Sequence, residues 1–313
     1  MNLSVAICTY NGGLYLREQL DSILSQTISV EEIVVCDDGS TDNTLSILEE
    51  FQSKFPDLFK IYKNTKSLGV IKNFEKAINL CTKDIILLSD QDDIWFPNKT
   101  EQIVDYFICN PNKEAVLHNL TLLQNAEPQP FSIWDFLLFT EYQREINNYQ
   151  LINYAFIVEN FVTGAAFACR NKKPFYLSQE IDYMLHDFQL FLRFALTDGF
   201  GIINQSLGYY RIHPEQQVGA KCGESEYIKE RKNRYTYGTL HAKAEMIEAA
   251  ILRNNRHTTE FPLLLDANKL LKSKLKSTTR EIIKNKTYFQ KKRILFSWLR
   301  HQKYNIKFTD VLL

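Results

Sequence analysis

Three carboxylates stand within four residues in Ser89-Asp90-Gln91-Asp92-Asp93-Ile94-Trp95. Carboxylates this close repel one another. A divalent cation relieves that repulsion, and hard oxygen ligands suit Mg²⁺ or Mn²⁺, which can also bridge phosphates. Apolar residues on both sides, Ile85 to Leu88 and Ile94-Trp95, argue against a freely solvated acidic loop. A second acidic group is Asp37-Asp38-Gly39-Ser40-Thr41-Asp42. Adjacent carboxylates are costly to desolvate without donors, and a base N–H or a ribose hydroxyl would serve. An Asx turn with a helix cap is the plainer account, and it suits Asp42 better than Asp38. The third group is Thr9-Tyr10-Asn11-Gly12-Gly13, where glycine permits close backbone approach and a following helix N-terminus can face an anion.

Each group follows a short apolar run and precedes a helical pattern. Leu3 to Cys8 reads as a strand, and Leu16, Leu20, Ile23 and Leu24 recur at helical spacing. The unit repeats with a strand over Glu32 to Cys36 and a helix over Thr41 to Phe51 that Asp42 can cap. It repeats again with a strand over Phe59 to Tyr62, a helix over about Val70 to Cys81 and a strand over Asp84 to Leu88. Such alternation builds an α/β fold on a mostly parallel, Rossmann-like sheet, with ligands at the carboxyl ends of its strands. Beyond Trp95 the pattern predicts a helix over Lys99 to Cys109, a strand around Ala115 to Leu117 and a loop or insertion over Gln124 to Pro130. A turn at Thr163-Gly164-Ala165, an amphipathic helix over Asp187 to Leu196 and strand-like segments over Gly201 to Tyr210 follow. From Tyr227 onward the pattern is helical.

In order and spacing, Thr9-Tyr10-Asn11, Asp37-Asp38-Gly39-Ser40-Thr41-Asp42 and the Asp-x-Asp after the fourth strand resemble glycosyltransferase family 2, the inverting nucleotide-sugar enzymes of GT-A fold. The likeness continues through Asn64 to Phe74, Thr163-Gly164-Ala165, His186-Asp187 and Tyr209-Tyr210-Arg211-Ile212-His213, over about residues 2 to 220. It is nearest to the rhamnosyltransferase-like subgroup. The resemblance implies a donor site for a UDP- or dTDP-sugar that includes Thr9, Tyr10, Asn11, Asp38, Gly39, Lys72, Asn73, Asp90 and Arg211. Within it, Asp38 would contact the pyrimidine base, Asp90 would sit near ribose and Arg211 would neutralise phosphate. It implies metal ligation by Asp92 and His213, with Asp93 either joining them or holding the loop. It places Trp95, Gly164 and His186 at the acceptor, and Asp187 as base on the acceptor hydroxyl, although a carboxylate at a helix start is also favoured by the dipole. The Gly-Asn-Asn that usually follows the histidine is here Pro214-Glu215-Gln216-Gln217.

With 313 residues, 45% hydrophobic and 24% charged, the composition is that of a globular protein with a sizeable core, which excludes disorder, collagen and coiled coil. No run of about 18 uncharged apolar residues occurs, and the first residues lack a secretory pattern, so the expected location is cytoplasmic. The six scattered cysteines read as small core residues. Charge divides the chain. Residues 226–313 carry 20 Lys and Arg against 8 Asp and Glu, leaving 17 against 29 in residues 1–225. The expected domains are a catalytic domain over 1–225, with its nucleotide-sugar half at about 1–115 and acceptor half at about 116–225, and a basic helical region over 226–313. Phe289, Leu295, Phe296 and Leu299 could form one apolar helix side, suited to the cytoplasmic face of a membrane and a lipid-linked glycan, or to packing on the catalytic domain. Nucleic-acid motifs are absent. Two competing readings are a non-catalytic glycosyltransferase-like subunit and a nucleotidyltransferase.

Overall fold

The structure is a computed structural model, which describes residues 1–179 and 185–216 apart from 138, 140–143, 146, 158–159 and 215. The chain divides into Met1–Lys221 and Cys222–Leu313. Every described residue belongs to the first unit, so the basic region expected over 226–313 lies outside the described residues, as does Cys222.

The first 89 residues run β1 (Leu3–Thr9), α1 (Leu16–Leu24), β2 (Glu32–Asp37), α2 (Thr44–Lys54), β3 (Phe59–Lys63), α3 (Gly69–Leu80) and β4 (Ile85–Ser89). Strands β3-β2-β1-β4 are parallel neighbours in that order. Nearly every residue of β1, β2 and β4 is buried, as expected of parallel strands covered on both faces. Leu16, Leu20 and Ile23 of α1 pack in one core with Val5, Ile7, Ile33 and Val35. Helix α2 begins later than its pattern suggests, and Asp42 accepts from Thr44 N at 3.0 Å just ahead of it.

The second half adds β5 (Ile94–Trp95), α4 (Lys99–Cys109), β6 (Ala115–Gln124), β7 (Glu127–Ser132), α5 (Ile133–Phe136), α6 (Asn148–Ile157), a 3-10 turn (Gly164–Ala166), β8 (Phe167–Arg170), α7 (His186–Ala195) and β9 (Phe200–Ile212). The sheet continues β4-β8-β6-β9-β5, with β7 paired to β6. Here β6 and β9 are parallel, while the other pairs are antiparallel.

The loop expected over Gln124 to Pro130 is instead the turn of a β-hairpin. Asn125 and Ala126 adopt φ of 52° and 61°, the left-handed pair that a two-residue hairpin turn requires. Pro128 and Pro130 are tolerated because β7 pairs on one side only. Helix α6 interrupts a stretch that shows no clear period. Among the cysteines, Cys36, Cys81 and Cys169 are buried as expected, Cys8 is half-buried, and Cys109 is exposed at the end of α4. Among the described residues no helix is long and apolar enough to cross a membrane.

Candidate active site

Two-residue strand β5 decides how the site closes. Ile94 pairs antiparallel with Tyr209, so the residues just before β5 meet the residues just after Tyr209. Arg211 N accordingly donates to Asp93 Oδ1 at 3.0 Å, and Arg211 Nε donates to the Asp92 carbonyl at 2.7 Å. His213 Nε2 lies 2.9 Å from Asp92 Oδ2. Helix α1 covers this corner from outside. The Tyr15 ring carries the Arg211 guanidinium 4.6 Å from its centroid and the His213 ring at 4.7 Å, and Glu18 pairs with Arg211.

Asp93 is buried, with Oδ2 lacking a hydrogen-bond partner. Burial first, then the Asp92 and Asp90 carboxylates, push the Asp93 carboxyl well above its usual range. Desolvation, with the Asp92 and Asp187 carboxylates, brings Asp90 up to about 7. This crowding of acids is the condition that a cation relieves. Asp92 and His213 converge on one point and offer one oxygen and one nitrogen ligand, so the residues fit a hard divalent ion. Among the described residues no group of three or more His, Cys, Asp or Glu is gathered for a metal.

Across the sheet lies the second acidic feature. Asp187, second residue of α7, is 7% exposed, and its Oδ1 accepts from Phe188 N at 2.7 Å. Burial raises its carboxyl to about 6, offset in part by the Phe188 and Gly164 backbone N–H groups. His186 beside it stacks on Phe74 at 3.8 Å, and burial holds its imidazole down to about 3, in the neutral form. Gly164 of the 3-10 turn sits against both residues. The structure thus brings Asp90, Asp92, Arg211 and His213 together, and places Gly164, His186 and Asp187 in a second group, whose Asp187 charge is among the causes that raise Asp90.

The expected donor residues around β1 and β2 form a third group. Thr9 Oγ1 donates to Asp37 at 2.8 Å, and Asn11, at φ 50°, accepts from Thr41 N. Gly39 adopts φ 95°, open to glycine, and donates to Asp37. Asp38 accepts four hydrogen bonds of 2.7 to 2.9 Å, from Asn64, Ser67, Leu68 N and Gly69 N, which occupy both oxygens. Burial alone would raise Asp38, but these donors bring it below its usual range. The Asn73 side chain turns inward to the Cys36 carbonyl, and Lys72 pairs with Glu75 on the same helix. Tyr10 is half-exposed, and Gln91 clasps its backbone from the acidic loop. Trp95 is buried beneath Lys99, whose ammonium lies 3.9 Å from its ring centroid.

The sequence pattern does not single out Tyr15, Glu18, Gln91 or Lys99. Glu18 and Arg211 are 193 residues apart, and only the sheet order makes them neighbours. Lys99 carries a weak signal, as the lone cation opening a helix directly after the acidic stretch.

The model of glycosyl transferase family 2 matches residues 4–172, more than half of the chain. The chain belongs to glycosyltransferase family 2. The dTDP-rhamnosyl transferase RfbG of Shigella flexneri is 32% identical over 224 residues, covering 68% of this chain and 74% of the relative. An uncharacterised glycosyltransferase of Nostoc sp. is 35% identical over 128 residues, 41% of this chain and 39% of the relative. The crystal structure of S. aureus TarS in complex with UDP has a TM-score of 0.53 and 18% identity, over 92% of this chain and 93% of that one, and so shares the fold. The GT-A architecture expected of a family 2 glycosyltransferase is therefore present, and its donor is a nucleotide sugar. Family membership sets aside the nucleotidyltransferase reading.

Proposed function

We propose that this family 2 glycosyltransferase transfers a sugar, with inversion, from a UDP- or dTDP-sugar to a hydroxyl of a surface polysaccharide or lipid-linked glycan. The single observation that carries the reading is the Asp187 carboxylate, buried at the start of α7 beside His186 and Gly164 and raised by burial to about 6. A base of that strength is ionised near neutral pH and still takes a proton readily. The 32% identity to a dTDP-rhamnosyl transferase supports dTDP-rhamnose as the first donor to test.

In this reading the acceptor hydroxyl oxygen attacks the anomeric carbon while Asp187 takes the hydroxyl proton. The bond from that carbon to the diphosphate oxygen breaks, and its electron pair departs with the nucleoside diphosphate. A single displacement on the face opposite the leaving group inverts the configuration. His186, neutral and stacked on Phe74, forms the acceptor side of this reading together with Gly164, whereas Trp95, expected there, is buried in the core under Lys99. When bound by Asp92 and His213, Mn²⁺ or Mg²⁺ would supply positive charge against the departing diphosphate. Arg211 adds a guanidinium fixed by the Asp92 carbonyl, Glu18 and the Tyr15 ring.

The basic region over 226–313 would bring the enzyme to an anionic membrane face and its lipid-linked acceptor. The test is thermal unfolding with dTDP-rhamnose, UDP-glucose and UDP-galactose, each with and without Mn²⁺. A donor at 100 times its dissociation constant stabilises by about 2.7 kcal/mol. One nucleotide sugar should give a shift that grows with Mn²⁺, and absence of a shift with every donor would contradict the reading.

A further inference from the structure

Lys99 stands where a lysine is least expected. It is the first residue of α4, at the helix end whose partial positive charge disfavours a cation. It is also 1% exposed, so its ammonium has given up its water. A residue that breaks two local rules in an otherwise consistent element marks a site held for function.

Its contacts join parts of the site that are distant in sequence. The Lys99 Nζ lies over the Trp95 ring at 3.9 Å, next to the acidic loop, and burial lowers its amine to about 7, offset in part by the Asp93 and Asp90 carboxylates. Lys99 Nζ also donates to the Ala165 carbonyl at 2.9 Å. Ala165 belongs to the 3-10 turn whose Gly164 packs on His186 and lies against the Asp187 side chain. The path from acidic loop to Asp187 therefore runs through one buried ammonium and one turn.

We propose that Lys99 is a positioning residue for sugar transfer: by tying Trp95, just after the Asp90–Asp93 loop, to the 164–166 turn, it sets Asp187 in place relative to the donor-side carboxylates. The proposal rests on the reading of Asp187 as the base. A buried amine serves this role better than an apolar side chain, because it donates to the Ala165 carbonyl on one side and lies over the Trp95 ring on the other.

The experiment uses the full chain with dTDP-rhamnose and Mn²⁺, following nucleoside diphosphate release to water or to an added glycan fraction, beside hydrogen exchange. Lys99→Met keeps the stem and removes the ammonium, while Lys99→Arg keeps a cation. Lys99→Met should lower kcat about 100-fold, the scale of a displacement near 1 Å, with donor KM changed less than about threefold. Exchange over residues 163–168 should quicken while exchange over β1 and β2 stays unchanged, and Lys99→Arg should restore both in part. In the Asp187→Asn background Lys99→Met should cost no more than about twofold further, since coupled residues are not additive. Unchanged exchange at 163–168 would overturn the proposal, as would faster exchange throughout the sheet, which would make Lys99 a packing residue. If Asp187→Asn alone keeps full activity, the base assignment falls, and local exchange at 163–168 still decides whether Lys99 makes the tie.

Discussion

A Cβ on Gly164 would stand 2.7 Å from His186 Nε2 and 3.8 Å from the Asp187 Cβ. The 2.7 Å approach is the clash, since 3.8 Å is an ordinary contact, and the imidazole cannot retreat easily because it is buried and stacked on Phe74. Gly164→Ala should therefore destabilise by about 1–3 kcal/mol, the usual cost of overpacking, and should displace the base. Thermal unfolding and transfer rate check this together, and a fully active, equally stable variant would contradict it.

The pH profile follows from the direction of the Asp187 shift. Its carboxyl is raised to about 6, so it is protonated below that pH and ionised above it. A base acts only when ionised. Transfer should accordingly fall as pH drops through about 6, and the acidic limb should vanish from whatever activity Asp187→Asn retains. The check is kcat against pH between 4.5 and 8.5 for both proteins, on the scale set by the carboxyl shift.

Metal dependence is predicted at Asp92 and His213, which meet at 2.9 Å. Asp92→Ala should abolish the gain in donor affinity that Mn²⁺ brings, and His213→Ala should weaken it by about tenfold or more. Calorimetric titration of dTDP-rhamnose with and without Mn²⁺ reads both effects.

At the opposite end of the sheet, Glu32 tests the frame independently of catalysis. It accepts from Ser4 Oγ, Lys60 Nζ, Thr82 N and Thr82 Oγ1. Burial alone would raise its carboxyl, but Lys60, Ser4 and Thr82 outweigh burial and bring it down to about 2. Lowering favours the ionised form in the fold, so the stability Glu32 contributes is present above its ordinary value of 4.5 and is lost as pH falls from there toward 2. Glu32→Gln should cost about 1–3 kcal/mol at pH 7 and flatten the acid limb of the stability curve, as denaturant unfolding at several pH values would show.

Much of this architecture is legible in the chain because parallel strands leave an unmistakable mark. Leu3 to Cys8, Glu32 to Cys36 and Ile85 to Leu88 are short buried runs followed by loops with carboxylates or glycine, and each is a strand in the structure. The hairpin turn at Asn125-Ala126 is hidden because alanine carries no turn signal, although its φ of 61° does the work glycine usually does. Lys99, Tyr15 and Glu18 are hidden for a different reason. The roles of Tyr15 and Glu18 arise from β9 crossing beside β5, and that of Lys99 from the 164–166 turn meeting the start of α4, neither of which local periodicity encodes. Asp38 reads in sequence as a free acid at a strand mouth, yet it accepts four hydrogen bonds and holds the start of α3, whose Gly69 N is among the donors.

The most direct test of the central claim compares donor binding with transfer in Asp187→Asn. This substitution keeps the shape of the buried side chain and removes its basicity. The account predicts that dTDP-rhamnose binds with Mn²⁺ nearly as in the unaltered enzyme, while kcat falls by about 10²–10⁴-fold. Equal loss of binding and transfer, or transfer at the original rate, would contradict Asp187 as the base and leave it a helix-start carboxylate.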